Sequence, residues 1–436
     1  MSEVKNLKLG NDIKKALIDN KKLDNINDTV HLTLHNISRV ESTLICLICK
    51  DSYVQQSQRY VKNTRDMFQD IDFEEETDIK KLKEEYNALL ERTIFLYDNM
   101  TELKEESKGK SRTTVEDYKW GIPIEDARYI MPLSCKTNMT ITMAANKLPL
   151  FVYLLFYLSD TFSKDTWKSL LDACKQIDEE ISNRIQRMAK KVGKGARNPV
   201  DIYFKNDVNS SFLDVVDVGE NALYDLCLGT LMSSSANPEE GMKKYDTQEK
   251  QEAMVLRVAG KGHTSILEQS RFKSHHSCSL TCLHQLERHR LMDIRPVGFK
   301  HLAEMADKRF TIPKTIMNSR FKKQVDELIG DWSDFASKVY NHNPNSLNSI
   351  GCLLNCQMIP FDVVTNVRAD IEVMKQRLCL NAQWEIRQLM IHRKTILLDT
   401  ELGFIYKKFA LPNCKTIGCQ EGSYKNPKCK VLEGEN

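Results

Sequence analysis

The same succession of segments occurs twice along this chain of 436 residues, and that repetition restricts its fold more than any single stretch does. In the first half, a polar, Gln-rich stretch at Tyr53–Tyr60 precedes Ile79, Leu82, Tyr86, Leu89, Thr93, Leu96, Met100 and Leu103. Their three- and four-residue steps predict a long amphipathic helix packed on a core. A charged break at Lys108–Arg112 follows, then GIPIEDARYIMPLSCKTNMTITMAANKL, in which Gly121 and Pro123 mark a loop before a mixed segment and a second helix. In the second half, alternation at Arg271–Ser277 predicts a strand, and a helix is expected from about Ser279 to Leu291. Phe321, Val325, Leu328, Trp332, Phe335 and Val339 then form a stripe matching the first-half helix in position and character. The similarity is weak, with a period of about 200 residues, and a duplicated fold accounts for it better than two unrelated domains. The basic, turn-rich KKVGKGARNP at Lys190–Pro199 reads as the linker, which puts the two copies at 1–205 and 206–436.

Bulk properties exclude several function classes. The 41% apolar and 28% charged residues are ordinary for a globular chain, with no tract that reads as disorder. Lys and Arg number 63 against 60 Asp and Glu, a net charge of +3, too balanced for a phosphate-neutralising surface, so no nucleic acid partner is expected. The N-terminus lacks the basic-then-apolar order of a secretory signal. The longest apolar run, Leu148–Leu158, is about half the roughly 20 residues of a membrane helix and is expected to be a buried core helix. Thirteen scattered cysteines, an odd number, point to reduced thiols and a cytoplasmic chain without disulfides.

Candidate chemistry is concentrated in a few segments. The second half contains GHTSILEQ (Gly262–Gln269), HQLERHR (His284–Arg290), TNVRADIEVMKQR (Thr365–Arg377) and AQWEIR (Ala382–Arg387). The first half offers QQSQRY (Gln55–Tyr60) and EDARY (Glu125–Tyr129). Arginine recognises phosphate and carboxylate in bidentate fashion and serine hydroxyls complete a phosphate site. A lone arginine is more often in a surface ion pair, so only the combination carries weight. Arg288, His289 and Arg290 cannot share one helix face, so at least one must point to a different partner. His275 and His276 are expected to be exposed on their strand rather than catalytic. Cys414, Cys419 and Cys429 lack a paired CxxC spacing and a fourth ligand, so no metal site is expected.

The combination resembles the flavin-dependent thymidylate synthases, whose signature is RHRxxSxxxxSxR with a preceding Gly-His segment and following N-x-R and Gln-Trp-Glu-Ile runs. Here the signature is divided. The first half has Ser52, Ser57 and Arg59, the right side of the motif, but Leu47, Ile48 and Cys49 stand in the RHR positions. The second half keeps Arg288, His289 and Arg290 but has Asp293, Gly298 and Lys300 in place of the serines and closing arginine. Arg128 in EDARY matches a nucleotide-contacting arginine, and Ile350 stands at the aligned position. Asn366, Arg368 and Arg377 are kept in the second half, where the first has Ala144, Asn146 and Leu155. Each copy lacks what the other retains.

In the family each site lies between subunits of a homotetramer, one giving the RHR side and another the SxR side, and a fused pseudo-dimer needs one good site. The resemblance implies an α/β (α+β) fold, each half a twisted, mostly antiparallel sheet packed by helices, with two chains as a homodimer rebuilding the tetramer. It implies Gln55, Ser57, Arg59, Arg128, Gln285, Arg288 and Arg377 on dUMP, with Arg377 and Ser57 at the reacting centre. It implies His263, Ser265, Arg288, His289, Arg290, Asn366 and Arg368 on FAD, with NADPH and methylenetetrahydrofolate as co-substrates. A pyrimidine-nucleotide hydroxymethylase on the same pocket and a non-catalytic nucleotide-binding paralogue are the other readings.

Overall fold

The computed structural model describes residues 1–50, 52–59, 61–68, 71, 79–102, 122–194, 200–205, 210–305 and 308–420. Lys108–Arg112, Gly121, Tyr60, Leu103, Cys429 and the 195–199 part of the linker lie outside them. In the first copy the strands are β1 (Glu3–Leu9), β2 (Thr29–Ser38), β3 (Ser52–Gln55) and β4 (Lys136–Ala144), in the sheet order β1-β2-β4-β3 with antiparallel pairing throughout. Its helices include α1 (Arg39–Cys49), α2 (Ile79–Thr101), α3 (Leu148–Tyr157), α4 (Lys164–Ile177) and α5 (Glu179–Val192). In the second copy α6 (Ala222–Met232) and α7 (Gln248–Gly260) follow β5 (Val215–Asp217). Then come β6 (Arg271–Ser279), α8 (Leu280–Leu286), β7 (Asp293–Pro296), α9 (Lys322–His342), β8 (Met358–Asn366), α10 (Val367–Arg377), α11 (Trp384–Leu398) and α12 (Gly403–Phe409). The second sheet runs β5-β6-β8-β7, the order of the first sheet element for element. The fold is α/β (α+β), with the sequence similarity repeated as topology.

Local chemistry explains the shared elements. Ser38 ends β2 and caps α1 through a capping box: its hydroxyl accepts from Glu41 N (3.1 Å), and the Glu41 carboxylate accepts from Ser38 N (2.7 Å). Ser279 repeats half of this in the second copy, its Oγ accepting from Cys282 N (3.1 Å). The Leu148–Leu158 run is a helix as expected, with Phe151, Val152, Leu154 and Leu155 wholly buried.

Two compact units interleave the copies. The first comprises Met1–Asp207, Ser279–His284 and Pro296–Ile359; the second comprises Val208–Cys278, Gln285–Arg295 and Pro360–Asn436. Inside the first unit the two copies meet about a local dyad. Leu133 N donates to Leu353 O (2.8 Å), and its counterpart Asn355 N donates to Met131 O (2.8 Å). Ser134 N donates to Gly351 O (3.0 Å), matched by Cys356 N to Tyr129 O (2.8 Å). Pro132 and Leu354 bridge at the centre. Helices α2 and α9, both amphipathic as their stripes predict, pack antiparallel beside it. Trp332 is fully buried, lies edge-on to Tyr86 at 5.7 Å, and donates through Nε1 to Thr93 Oγ1 (2.9 Å). Arg92–Asp331 (2.6 Å) and Lys338–Glu85 ion pairs flank this core.

Two local expectations are corrected. The helix foreseen to Leu291 ends at Leu286, because Arg288, His289 and Arg290 each need a different direction and leave the helical path as turns. His275 and His276 are buried, not exposed, since β6 is an inner strand with partners on both sides. His275 Nδ1 lies 2.8 Å from Asp362 Oδ1 and its Nε2 lies 2.8 Å from Ser211 O. His276 faces Asp214 (3.3 Å) and Arg393. Among the described residues no helix is long and apolar enough to cross a membrane, no group of three or more His, Cys, Asp or Glu is placed to hold a metal ion, and the cysteines are free thiols.

Candidate functional site

The first unit carries one arginine cluster, organised by Glu125. Its carboxylate Oε2 accepts from Arg59 Nε at 2.8 Å, with both side chains mostly buried, and its backbone carbonyl accepts from Arg128 Nε at 3.0 Å. Two arginines that are 69 positions apart are thus held by one residue. Strand β3 delivers Gln55, whose Nε2 donates to Ser42 Oγ (2.8 Å). The turn after it is set by Ser57, whose Oγ accepts from Arg59 N (3.1 Å). Arg128 is 2% exposed, and its carbonyl accepts from Asn355 Nδ2 (3.0 Å), a buried residue of the second copy in the same unit. The four residues expected here lie on adjoining segments of one unit. Glu125 and Asn355 were not foreseen as site residues. Glu125 stands in the quoted EDARY, and an acid three residues before an arginine at a helix start is the signal that could have found it.

The second unit carries the other cluster. Gln285 lies in α8 and Arg288, His289 and Arg290 in the turns beyond it. Arg377 at the end of α10 donates through Nε to His289 Nε2 at 2.7 Å, and its Nη2 is 3.5 Å from Gln285 O. Burial first, then the charges of Arg377 and Arg288, push the His289 imidazole down to about 3, so the ring is neutral at physiological pH. A neutral ring that accepts at Nε2 carries its proton on Nδ1, which leaves one directed donor. Arg290 is exposed.

A second group in this unit joins the Gly-His and N-x-R segments. Arg368 pairs with Glu268, both exposed, and Val367 N donates to Ser270 O (3.2 Å). Asn366 Oδ1 caps α10 by accepting from Ala369 N (2.8 Å). Gly262 has φ +94° with nothing near its missing Cβ, and His263 and Ser265 behind it are exposed. The buried Ser270 Oγ has no hydrogen-bond partner among the described residues. Exposed imidazole, hydroxyl and guanidinium groups around an open glycine turn fit an anionic ligand.

The lost counterparts look different. Leu47, Ile48 and Cys49 continue α1 and are buried, at 2%, 8% and 1% exposure, where the corresponding Arg288, His289 and Arg290 have left the helix. Lys300, at the Arg59 position, is buried and gives its ammonium to Pro344 O (3.1 Å) and Asn345 O (2.8 Å).

Two copies of one antiparallel α+β unit, each with an arginine-rich cluster, define a duplicated α+β protein. A family model, "Thymidylate synthase complementing protein", matches residues 29–196 and again 224–398, and the chain belongs to that family. It is similar to the flavin-dependent thymidylate synthase of Thermococcus kodakarensis, with 30% identity over 201 residues, 42% of this chain and 78% of the relative. The Pyrococcus abyssi protein of the same name is 30% identical over 189 residues, 41% of this chain and 76% of its own length. The double match is what a tandem duplication requires.

Proposed function

We propose that the chain is an FAD-dependent thymidylate synthase that methylates dUMP reductively to dTMP, with methylenetetrahydrofolate as carbon donor and NADPH as reductant, at one composite site per chain. The observation that carries this reading is the complementary survival of two arginine clusters in a chain of this family: Arg59 and Arg128 gathered by Glu125 in one unit, Arg377 set by His289 in the other. Two curated relatives bear the corresponding name.

On this reading Gln55, Ser57, Arg59, Arg128, Gln285 and Arg288 bind the nucleotide, the guanidinium groups meeting the phosphate through charge-assisted bonds. Arg377, held by the neutral His289, faces the pyrimidine and stabilises negative charge developing on the ring, while Ser57 orders the turn beside it. His263, Ser265, His289, Arg290, Asn366 and Arg368, with Arg288, would hold FAD, with Arg368 exchanging its Glu268 partner for phosphate. The flavin supplies hydride chemistry; the chain supplies binding, orientation and exclusion of water. Two chains associate as a homodimer that rebuilds four sheet units.

The test is the visible spectrum of purified full-length protein, followed by dUMP titration of the flavin bands and product analysis. Oxidised-flavin bands near one FAD per chain, perturbed by dUMP, and dTMP as product are expected. A hydroxymethylated nucleotide would indicate the other chemistry on this pocket, and a protein that takes up neither FAD nor dUMP would overturn the reading. Arg59→Ala and Arg288→Ala, in different copies, are each expected to abolish the dUMP response. Lys300→Ala is expected to leave it intact while lowering Tm, because its two carbonyl bonds are structural. Equal loss with Lys300→Ala would defeat the divided-site arrangement.

A further inference from the structure

Within the first unit, three of the elements that carry positions where motif residues have been lost are the end of α1 with Leu47, Ile48 and Cys49; α3 with Leu155; and the short helix Phe299–Glu304, which follows Gly298 and contains Lys300. The segment that joins the two copies touches all three. Tyr203 Oη donates to Leu47 O at 3.3 Å. The Phe204 ring stacks on Tyr157 at the end of α3, with centroids 5.4 Å apart, and Tyr157 Oη donates to Asp201 Oδ1 at 3.2 Å. The short helix Ile202–Lys205 packs on Phe299–Glu304. Val200 and Phe204 are completely buried and Tyr203 nearly so.

We infer that residues 200–204 are a built-in occupant of the chain's second, vestigial ligand position, an aromatic plug that seals it and limits each chain to one set of ligands. The identity of those ligands rests on the function proposed above; the filling of the position does not. Apolar side chains that replace arginines leave a surface with nothing to attract a phosphate, and close packing requires that such a surface be covered. Tyr203 and Phe204 cover it with rings, and Asp201 and the Tyr203 hydroxyl meet the polar groups at its edge. Lys300 is turned onto backbone carbonyls. An acidic residue in the plug, Asp201, further disfavours an anionic ligand.

Hydrogen exchange on the full chain tests this in two comparisons. Without ligand, the amides of Tyr203 and Phe204 are expected to exchange at least a hundredfold more slowly than those of the exposed turn Ser233–Ser234. In the double variant Tyr203→Ser, Phe204→Ala, amides 47–50 and 299–304 are expected to exchange at least tenfold faster, with α10 and α11 unchanged. Freely exchanging connector amides, or no change at 47–50 and 299–304, would overturn the inference; if the double variant does not fold, Phe204→Leu is put through the same comparison. In the second comparison dUMP and FAD are added. Protection is expected at 55–59 and 285–291 and not at 47–50 or 298–300, and a gain at the latter pair would also overturn it. Protection at neither pair would refute the proposed ligands, and the plug is then decided by the first comparison.

Discussion

Glu125 holds Arg59 by its carboxylate and Arg128 by its carbonyl, so the two contacts respond differently to substitution. Glu125→Gln removes the charge-assisted bond alone, a type of bond worth about 1.5–3 kcal/mol, and dUMP affinity is expected to fall by roughly tenfold or more. Calorimetric titration checks this; unchanged affinity would mean that Arg59 is positioned without Glu125. His289 gives a pH signature. Its folded value of about 3 lies below the roughly 6.5 of an unfolded imidazole, so below pH 6.5 the unfolded chain takes up a proton that the folded chain refuses. This contribution to stability is present above about pH 6.5 and is lost as pH falls towards 3. Denaturation midpoints of wild type and His289→Gln, followed between pH 7 and 4, are expected to converge on acidification.

At the scale of elements, the contrast between α1 and α8 is one of side-chain charge on a common backbone plan. Leu47, Ile48 and Cys49 bury and the helix continues to Lys50, which closes it at φ 44°; Arg288, His289 and Arg290 cannot bury together and the helix stops at Leu286. The capping box at the start of α1 carries a second titration. Burial raises the Glu41 carboxyl to about 7, against the pull of donors from Ser163, Ser38 and Thr166. An acid whose folded value is raised keeps its proton where the unfolded chain has lost it, so stability falls as pH rises from about 4.5 to 7. Glu41→Gln is expected to flatten that slope and to cost about 1 kcal/mol through the weakened cap, as thermal melts across the window would reveal. Much of this scale was legible in sequence. The α2 and α9 stripes, the α3 core run and the β6 alternation are local periodicities that a chain states directly. The end of α8 and the burial of His275 and His276 were not, because both depend on neighbours distant in sequence: Arg377 beyond α8, and Asp362, Ser211 and Asp214 around β6. The candidate clusters were readable as motifs, and Glu125 stands three residues before Arg128 in one of them; Asn355, whose contact with Arg128 spans 227 positions, was not readable.

At the scale of the molecule, the repeat explains why removal of Trp332 affects more than its own copy. Its ring packs on Tyr86 and bonds Thr93, so Trp332→Ala is expected to cost about 3–5 kcal/mol and to lower Tm in a single cooperative transition of the first unit, followed by calorimetry. A split transition would mean that the copies fold separately. The bridge between Pro132 and Leu354 has a consequence of another kind. On the axis of a true homodimer a residue meets its own twin, so every substitution is made twice and must suit itself. Here proline faces leucine: the gene can alter one side of its axis without altering the other, and asymmetry becomes something that single mutations can reach.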